Sequence, residues 1–326
     1  PSPKFRQLQH LPLCIDALLR KAKYIKALDK TGFAAYNCTH LAAQSCTHLQ
    51  NQIGGEQSLL AFKLRMMHAF NDAFKESYNL YKSSEDTTFI SDALYLIDRE
   101  KALQFWLINR LATPNNAFRN LEQRYAALSW WYAKEAMAAK EYRDTSAHLL
   151  FENQKTQINI LRETLLEASL EKEQPYLALK YAPDIPSLQS IQETLRPEEL
   201  LLQYFNGTDS SYLISLSFDK VEFHCLSSRN DMSKLTKTFD KLVSTAENLT
   251  DFQIKAKELS ALLLPLDLSS FKRIVVIPDF GLYHIPFEVL SLDSDKDYSN
   301  FKTGNYLFSK HSISYQYSLL SYWQWK

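Results

Sequence analysis

Apolar positions recur every three to four residues through the first half of the chain, which is the spacing of amphipathic helices. Proline and glycine, both costly inside helices, are scarce here: no proline lies between Pro12 and Pro114, and neither type occurs between Pro114 and Pro175. Helices are predicted over residues 11–28, 33–49, 59–81 and 89–111, followed by a hairpin of two helices over 115–174. Paired helices of this kind indicate a tetratricopeptide-like array, although no clean repeat of the expected period is present.

The pattern changes after Pro183, where prolines cluster and alternating apolar positions replace the helical spacing. The β-branched run 274–277 is typical of a strand buried on both faces of a parallel sheet. The other elements predicted here are an antiparallel meander over 200–205, 212–218 and 221–225, helices over 232–243 and 254–264, and a strand over 313–317. We therefore expect two domains: an α-helical, tetratricopeptide-like one over 1–182 and an α/β one with a mixed sheet over 183–326.

Charge and cysteine content narrow the function classes. The 326 residues carry 37 basic and 37 acidic side chains, so no net charge draws the chain to nucleic acid or to an anionic membrane. We expect no direct binding of nucleic acid, no membrane span and no secretory signal in residues 1–20. Four cysteines are too few for a disulfide scaffold of this size, which favours reduced thiols and a cytoplasmic protein.

Two Cys-Thr-His triplets, at Cys38/His40 and Cys46/His48, superficially suggest a metal site. On a helix, residues two apart point in nearly opposite directions, so a cysteine and histidine of one triplet cannot share a ligand set. The two cysteines fall on the apolar stripe and the two histidines on the polar face. We expect buried thiols, solvated imidazoles and no metal, and no motif for a phosphate, dinucleotide or other cofactor is present.

The adjacent pair His224–Cys225 has the residue types of a cysteine-protease dyad. Neighbours on a strand point to opposite faces, so these side chains cannot hydrogen-bond as a nucleophile and its base must. The expectation is a packed Cys225 and an exposed or partnered His224.

The predicted helical array is the expected protein-binding surface, since such arrays offer extended concave faces. Exposed aromatic residues are common anchors at such surfaces, although each candidate is equally compatible with a place in the core. The candidates are Phe105, Trp106, Trp130 and Trp131.

Residues 274–290, Ile-Val-Val-Ile-Pro-Asp-Phe-Gly-Leu-Tyr-His-Ile-Pro-Phe-Glu-Val-Leu, resemble the signature of the CHAT domain, a caspase-like domain often fused to tetratricopeptide repeats. That signature is a buried strand, then Pro-Asp-Gly, then Leu-x-x-Ile-Pro-Phe-Glu-x-Leu. The segments 175–181, 188–192, 200–205 and 306–318 also resemble parts of this family, in the same order.

The chain departs from the family pattern in two ways. Phe280 stands where the family has glycine, with Gly281 one place later, so we expect Pro278, Asp279 and Gly281 to form the turn. The family's catalytic His-Gly motif and cysteine lie downstream of the segment that ends near residue 318, so no catalytic residue is assigned. His284 is expected to have a structural role with local hydrogen bonds.

The resemblance implies the helical front and the first, non-catalytic, pseudo-protease-like portion of a CHAT-type cysteine endopeptidase, truncated before its catalytic His and Cys. This chain alone would be no enzyme. Its partners would be the remaining catalytic half and a protein partner or protein substrate. The alternative is a non-enzymatic helical scaffold or adaptor that mediates protein–protein interaction.

Overall fold

The computed structural model describes residues 11–28, 31–52, 56–110, 186–245, 248–292 and 304–326, together with single positions between Arg124 and Thr164. The chain divides into two compact units, Pro1–Ile185 and Pro186–Lys326, here called the helical unit and the sheet unit. The hairpin predicted over 115–174 lies outside the described residues, apart from those single positions.

The described part of the helical unit contains four long helices, each packed against the next one along the chain. They are α1 (Leu11–Leu28), α2 (Phe33–Gln52), α3 (Glu56–Ser84) and α4 (Thr88–Arg110). All four were predicted from the apolar spacing. The polar run before α4 supplies a cap as expected, because the Asp86 carboxylate accepts hydrogen bonds from the backbone N–H of Thr88 at 2.9 Å and from its hydroxyl at 2.8 Å.

Small and aromatic apolar side chains fill the spaces between these helices. Among those that are at most 1 % exposed are Ile15, Ala35, Cys38, Ala42, Cys46, Phe70, Phe74 and Ile90. No helix in the described part of the chain has both the length and the apolar character needed to cross a bilayer.

In its described residues, the sheet unit is built around five strands in the order β3-β2-β1-β4-β5. The strands are β1 (Glu199–Asn206), β2 (Ser210–Leu216), β3 (Val221–Ser228), β4 (Arg273–Ile277) and β5 (Ser312–Tyr315). The first three form the predicted antiparallel meander, whereas β4 runs parallel to both β1 and β5. The mixed sheet and the class of this unit agree with the sequence prediction.

Helices and short 3-10 turns complete the sheet unit. The helices are α5 (Leu188–Thr194), α6 (Arg229–Thr245), α7 (Leu249–Leu263) and α8 (Leu319–Trp325), and the 3-10 turns are Phe280–His284, Phe287–Val289 and Leu307–Ser309. The predicted helices over 232–243 and 254–264 correspond to α6 and α7.

Strand β4 is an inner strand of the sheet and is buried, as its β-branched sequence predicts. Ile274, Val275, Val276 and Ile277 are all at most 3 % exposed, so both faces of the strand are covered. Pro278 follows at once and cannot donate to a ladder, which explains why the strand ends there. Ile285 and Phe287 return to the core, 2 % and 0 % exposed, as expected.

Candidate functional site

The carboxyl ends of the parallel strands β1, β4 and β5 meet at one edge of the sheet, here called the carboxyl edge. In open α/β sheets, ligands bind outside this edge. Asn206 ends β1, and the turn beginning at Pro278 follows β4. The Asp279 carboxylate, 4 % exposed, accepts a 2.7 Å hydrogen bond from the Asn206 backbone N–H. The buried acid therefore ties the turn after β4 to the end of β1.

Phe280, and not the glycine beside it, takes the left-handed backbone conformation in this turn. Its φ is +44°, whereas the only described glycine with a positive φ is Gly32. The chain turns at Pro278, Asp279 and Gly281 as expected, but the positive φ lies on Phe280, the position where the CHAT pattern has glycine, and not on Gly281. A non-glycine residue is strained there because its Cβ crowds the backbone.

The Phe280 ring packs under a cation at the carboxyl edge. The Arg229 guanidinium lies 5.6 Å from the ring centroid, and its Nη1 donates to the Gly207 carbonyl at 3.3 Å. Arg229 thus links the loop after β1 to the turn after β4.

Tyr315, at the end of β5, forms hydrogen bonds with the second half of the signature segment, residues 274–290. Its hydroxyl accepts from the Phe287 backbone N–H at 2.9 Å and donates to a Glu288 carboxylate oxygen at 2.6 Å. Burial, together with the Glu288 carboxylate, raises the pKa of Tyr315, so its hydroxyl stays protonated as a donor. The three residues form a closed structural link and leave no free base at this point.

His284 lies exposed on the 3-10 turn Phe280–His284. Its ring makes no hydrogen bond with the residues that the structure describes. The local hydrogen bonds expected for it are therefore absent from this part of the chain.

The His224–Cys225 pair lies on the edge strand β3 and does not form a dyad. Cys225 is exposed, so the expectation that it packs in the core is wrong. Among the described strands β3 is the outermost, so it pairs with a neighbouring strand on one side only. His224 is partly buried, which lowers its pKa, and its Nε2 lies 3.9 Å from the Glu222 carboxylate. That distance is too long for a hydrogen bond.

The helical unit contains a polar cluster formed by Tyr36, His40, Ser77 and Asp92, which come from three different helices. His40 Nε2 lies 2.8 Å from the Ser77 hydroxyl oxygen, and the Tyr36 hydroxyl donates to the Asp92 carboxylate. The Tyr36 and His40 rings are 4.1 Å apart between centroids. The prediction of a solvated His40 is therefore wrong, because this ring faces α3 and not water.

The electrostatics of this cluster follow from its burial. Burial lowers the pKa of His40 to about 4, against smaller opposing effects of the Asp92 charge and the Ala73 carbonyl. His40 is thus neutral at pH 7. The Ser77 hydroxyl donates to the Ala73 carbonyl at 3.1 Å, which leaves its oxygen to accept from His40. Ser77 is fully buried, so this Ser–His contact offers no nucleophile to a substrate.

The cysteines of the two triplets behave as predicted. Cys38 and Cys46 are both 0 % exposed, and burial raises the pKa of the Cys46 thiol to about 12. Within the described residues, no group of three or more His, Cys, Asp or Glu side chains is placed to hold a metal ion. The side chain of His48 lies outside the described residues.

The four aromatic residues predicted as partner anchors are not among the described side chains. Phe105 and Trp106 belong to α4, of which only the backbone is described at that point, and Trp130 and Trp131 lie outside the described residues.

Sequence patterns do not reveal the polar cluster. Its members are separated by as many as 56 positions between Tyr36 and Asp92, and no local motif connects them. Only the small residues at helical spacing on α2, Ala35, Cys38, Ala42 and Cys46, indicate a packed face. Comparison with protein-family models, curated proteins and solved structures gave no match for this chain. The resemblance to the CHAT family thus rests on the sequence segments alone.

Proposed function

We propose that this chain is the regulatory and structural part of a CHAT-type, caspase-like cysteine endopeptidase whose catalytic His and Cys lie beyond Lys326. The observation that carries the proposal is the position of the signature segment. Its strand, β4, is the buried strand between two parallel neighbours, and its Pro-Asp turn lies at the carboxyl edge. That is the edge at which an α/β fold assembles chemistry.

The turn itself supports the family assignment. The residue after Pro278 and Asp279 adopts a positive φ, which explains why a family pattern would place glycine there.

The last described elements suit a sheet that continues beyond β5. Helix α8 returns from the carboxyl edge toward the start of β1, where the Lys326 ammonium pairs with both Glu199 carboxylate oxygens at 3.0 and 2.9 Å. A strand followed by a helix that crosses back to the amino ends is the first part of a βαβ unit. We propose that the catalytic strands follow β5 in this manner.

The helical unit would then be the regulatory, partner-binding region. Successive packing of α1 to α4 supports a tetratricopeptide-like array in the broad sense of stacked antiparallel helices. The α1–α2 pair extends from Leu11 to Gln52, longer than the roughly 34 residues of a tetratricopeptide unit. We propose an array of longer hairpins that holds a protein partner or restrains the protease.

The test starts from the gene sequence that follows Lys326. The proposal requires a His-Gly motif and a later cysteine at predicted strand ends. The extended protein should cleave members of a peptide library, and Ala in place of the downstream cysteine should abolish cleavage. The matched control is Cys225→Ala, which should leave cleavage unchanged, and residues 1–326 alone should cleave nothing.

Two outcomes contradict the proposal. Cleavage by residues 1–326 that depends on Cys225 would place the nucleophile in this chain. An extended protein without the two motifs and without peptidase activity would instead favour the non-enzymatic scaffold or adaptor.

A further inference from the structure

Helix α1 carries apolar side chains on two opposite faces. One face packs against α2 and α3 and includes Leu18 and Ala22, both 5 % exposed. On the opposite, outer face, Leu13, Tyr24 and Leu28 are 71, 76 and 85 % exposed. A helix at the outside of a helical array needs a polar outer face to remain soluble. Large apolar side chains on this face therefore indicate an interaction surface.

The exposed residues of this outer face form a regular stripe, here called the α1 seam. They are spaced alternately four and three positions apart: Leu13, Ala17, Arg20, Tyr24 and Ala27. This is the a/d spacing of a coiled coil, which keeps a narrow row of side chains in line along one side of a helix. Such a row matches one further helix, and its two alanines allow the backbone of that helix to approach closely.

The charges in and beside the α1 seam are mainly basic. Arg20 occupies the middle of the seam, and Lys21 and Lys23 lie at its two borders, the e and g positions of the heptad. Arg20 and Lys21 form no ion pair with the described residues. Lys26 points away from the seam, because its ammonium pairs with Glu76 of α3.

Two acidic side chains near the seam are directed toward the interior of the helical unit. Asp16, the single acid of α1, helps to raise the pKa of the buried Cys46 thiol on α2. Asp72 on α3 lies near Lys23, which opposes the effect of burial on the pKa of Asp72. Arg20 and Lys21 therefore remain the charges that an occupant of the seam would meet.

These charges distinguish between the possible occupants. In a symmetric contact between two copies of α1 that covers the whole seam, Arg20 and Lys21 would meet the same residues of the other copy, because both lie at its midpoint. An anionic membrane is disfavoured because a helix that lies on a membrane carries its cations on the polar face, whereas Arg20 stands within the apolar row. A helix with carboxylates beside its apolar stripe would complement both the shape and the charge.

We propose that the α1 seam binds one acidic amphipathic helix of a protein partner, whose apolar stripe covers Leu13, Tyr24 and Leu28. One carboxylate of that helix pairs with Arg20, and others at its border face Lys21. The inference rests on the partner-binding role proposed for the helical unit and defines the chemistry of the partner. Peptide binding tests this face alone, whereas cleavage by the extended protein tests the endopeptidase, so either can fail without the other.

The first experiment measures binding of two designed helical peptides of about three heptads to residues 1–326. Both peptides carry leucine at their a and d positions, except for one central d position. In the acidic peptide this position and all e and g positions are glutamate, and in the basic peptide they are lysine. By fluorescence anisotropy, the acidic peptide should bind at least about tenfold more tightly. Equal affinities, or tighter binding of the basic peptide, would overturn the proposal.

The second experiment reverses the charge in the middle of the seam. Arg20→Glu should weaken binding of the acidic peptide about tenfold and strengthen binding of the basic peptide by a similar factor. A misfolded variant could not gain affinity for the basic peptide, so this gain separates a lost charge from a lost fold. Lys82→Glu on α3 is the matched control, since Lys82 is exposed and lies outside the seam. Equal losses of acidic-peptide affinity in the two variants would refute the assignment to α1.

The third experiment tests the other two occupants. Residues 1–326 and the Tyr24→Ser variant are compared by sedimentation with vesicles of phosphatidylcholine and phosphatidylserine, and by analytical ultracentrifugation without vesicles. Tyr24→Ser should weaken binding of the acidic peptide and leave vesicle binding and self-association unchanged. Vesicle binding or a dimer that Tyr24→Ser abolishes would assign the seam to a membrane or to a second copy of the chain and overturn the proposal.

Discussion

The helical unit and the sheet unit hold their interiors together with different kinds of polar contact. In the helical unit, side chains from distant helices pair with one another, as Tyr36 does with Asp92 and His40 with Ser77. In the sheet unit, the contacts between strands are backbone ladders, and the buried Tyr204 hydroxyl also donates to a backbone group, the Leu263 carbonyl, at 2.7 Å.

The difference follows from where the backbone N–H and C=O groups of each element find their hydrogen-bond partners. A helix pairs its N–H and C=O groups internally, so only side chains can fix one helix against another. A strand pairs its backbone with its neighbour, so register is set before any side chain contributes. The helical unit should therefore respond most to lost polar partners and the sheet unit to lost apolar volume.

The largest expected effect is the loss of apolar volume in the core of the sheet unit. Ile277→Ala should destabilise this unit by about 3 kcal/mol, because the side chain is fully buried and its removal leaves a cavity. Hydrogen exchange of the β1 and β4 amides, followed by mass spectrometry, reports on this unit separately. His284→Ala, an exposed change in the same segment, should alter stability by less than about 0.5 kcal/mol. Equal effects of the two variants would show that β4 is not the core strand.

The second prediction concerns acid and the helical unit. Because burial lowers the folded-state pKa of His40 to about 4, the unfolded chain takes up a proton first as pH falls below about 6.5. The stabilisation linked to the neutral His40 is thus complete above pH 6.5 and is lost between about pH 6.5 and 4, with a total of about 3 kcal/mol.

The measurement is urea unfolding of the helical unit between pH 4 and 8. His40→Gln, which retains a donor toward Ser77 but does not titrate, is the matched variant. The difference in unfolding free energy between the original protein and this variant should shrink or change sign as pH falls. A difference that is independent of pH would mean that His40 is not buried as described.

The third prediction removes one polar partner without changing volume. Tyr36→Phe leaves the Asp92 carboxylate without its hydroxyl donor and should cost about 1–2 kcal/mol. Tyr24→Phe on α1 is the control, because Tyr24 is 76 % exposed and should show almost no effect. The melting temperatures of both variants are compared. A Tyr36→Phe variant as stable as the control would show that the Tyr36–Asp92 hydrogen bond does not stabilise the helical unit.

The elements of the two units could be predicted from local patterns, whereas the contacts between elements could not. The four helices and β4 follow from apolar spacing and from a β-branched run, which act over short stretches. The partner of His40 is Ser77, on another helix, so a polar-face argument could assign the ring only to solvent. Cys225 was misplaced because alternation predicts which face a residue takes, but not that β3 is an edge strand.

The turn after β4 shows, at a single residue, that local sequence patterns do not predict contacts between elements. Residue types favour Gly281 for the positive φ, yet Phe280 adopts it. A contact distant in sequence lies next to this residue, because the Asp279 carboxylate accepts from the Asn206 N–H and Pro278 restricts the backbone before it. This contact joins the turn to β1 and cannot be predicted from the local sequence.

The last and smallest effect tests this turn by exchanging glycine and alanine at both positions. At residue 280, Phe280→Gly should be about 1 kcal/mol more stable than Phe280→Ala, because both variants lose the ring over Arg229 but only alanine keeps a crowded Cβ. At residue 281, Gly281→Ala should cost less than about 0.5 kcal/mol, since its φ is not in the left-handed region and a Cβ would lie 3.6 Å from the Thr236 hydroxyl oxygen, an ordinary contact. Urea unfolding of the three variants decides the matter. If alanine is tolerated at 280 and damaging at 281, the positive φ belongs to Gly281 and the match between this turn and the CHAT pattern is lost.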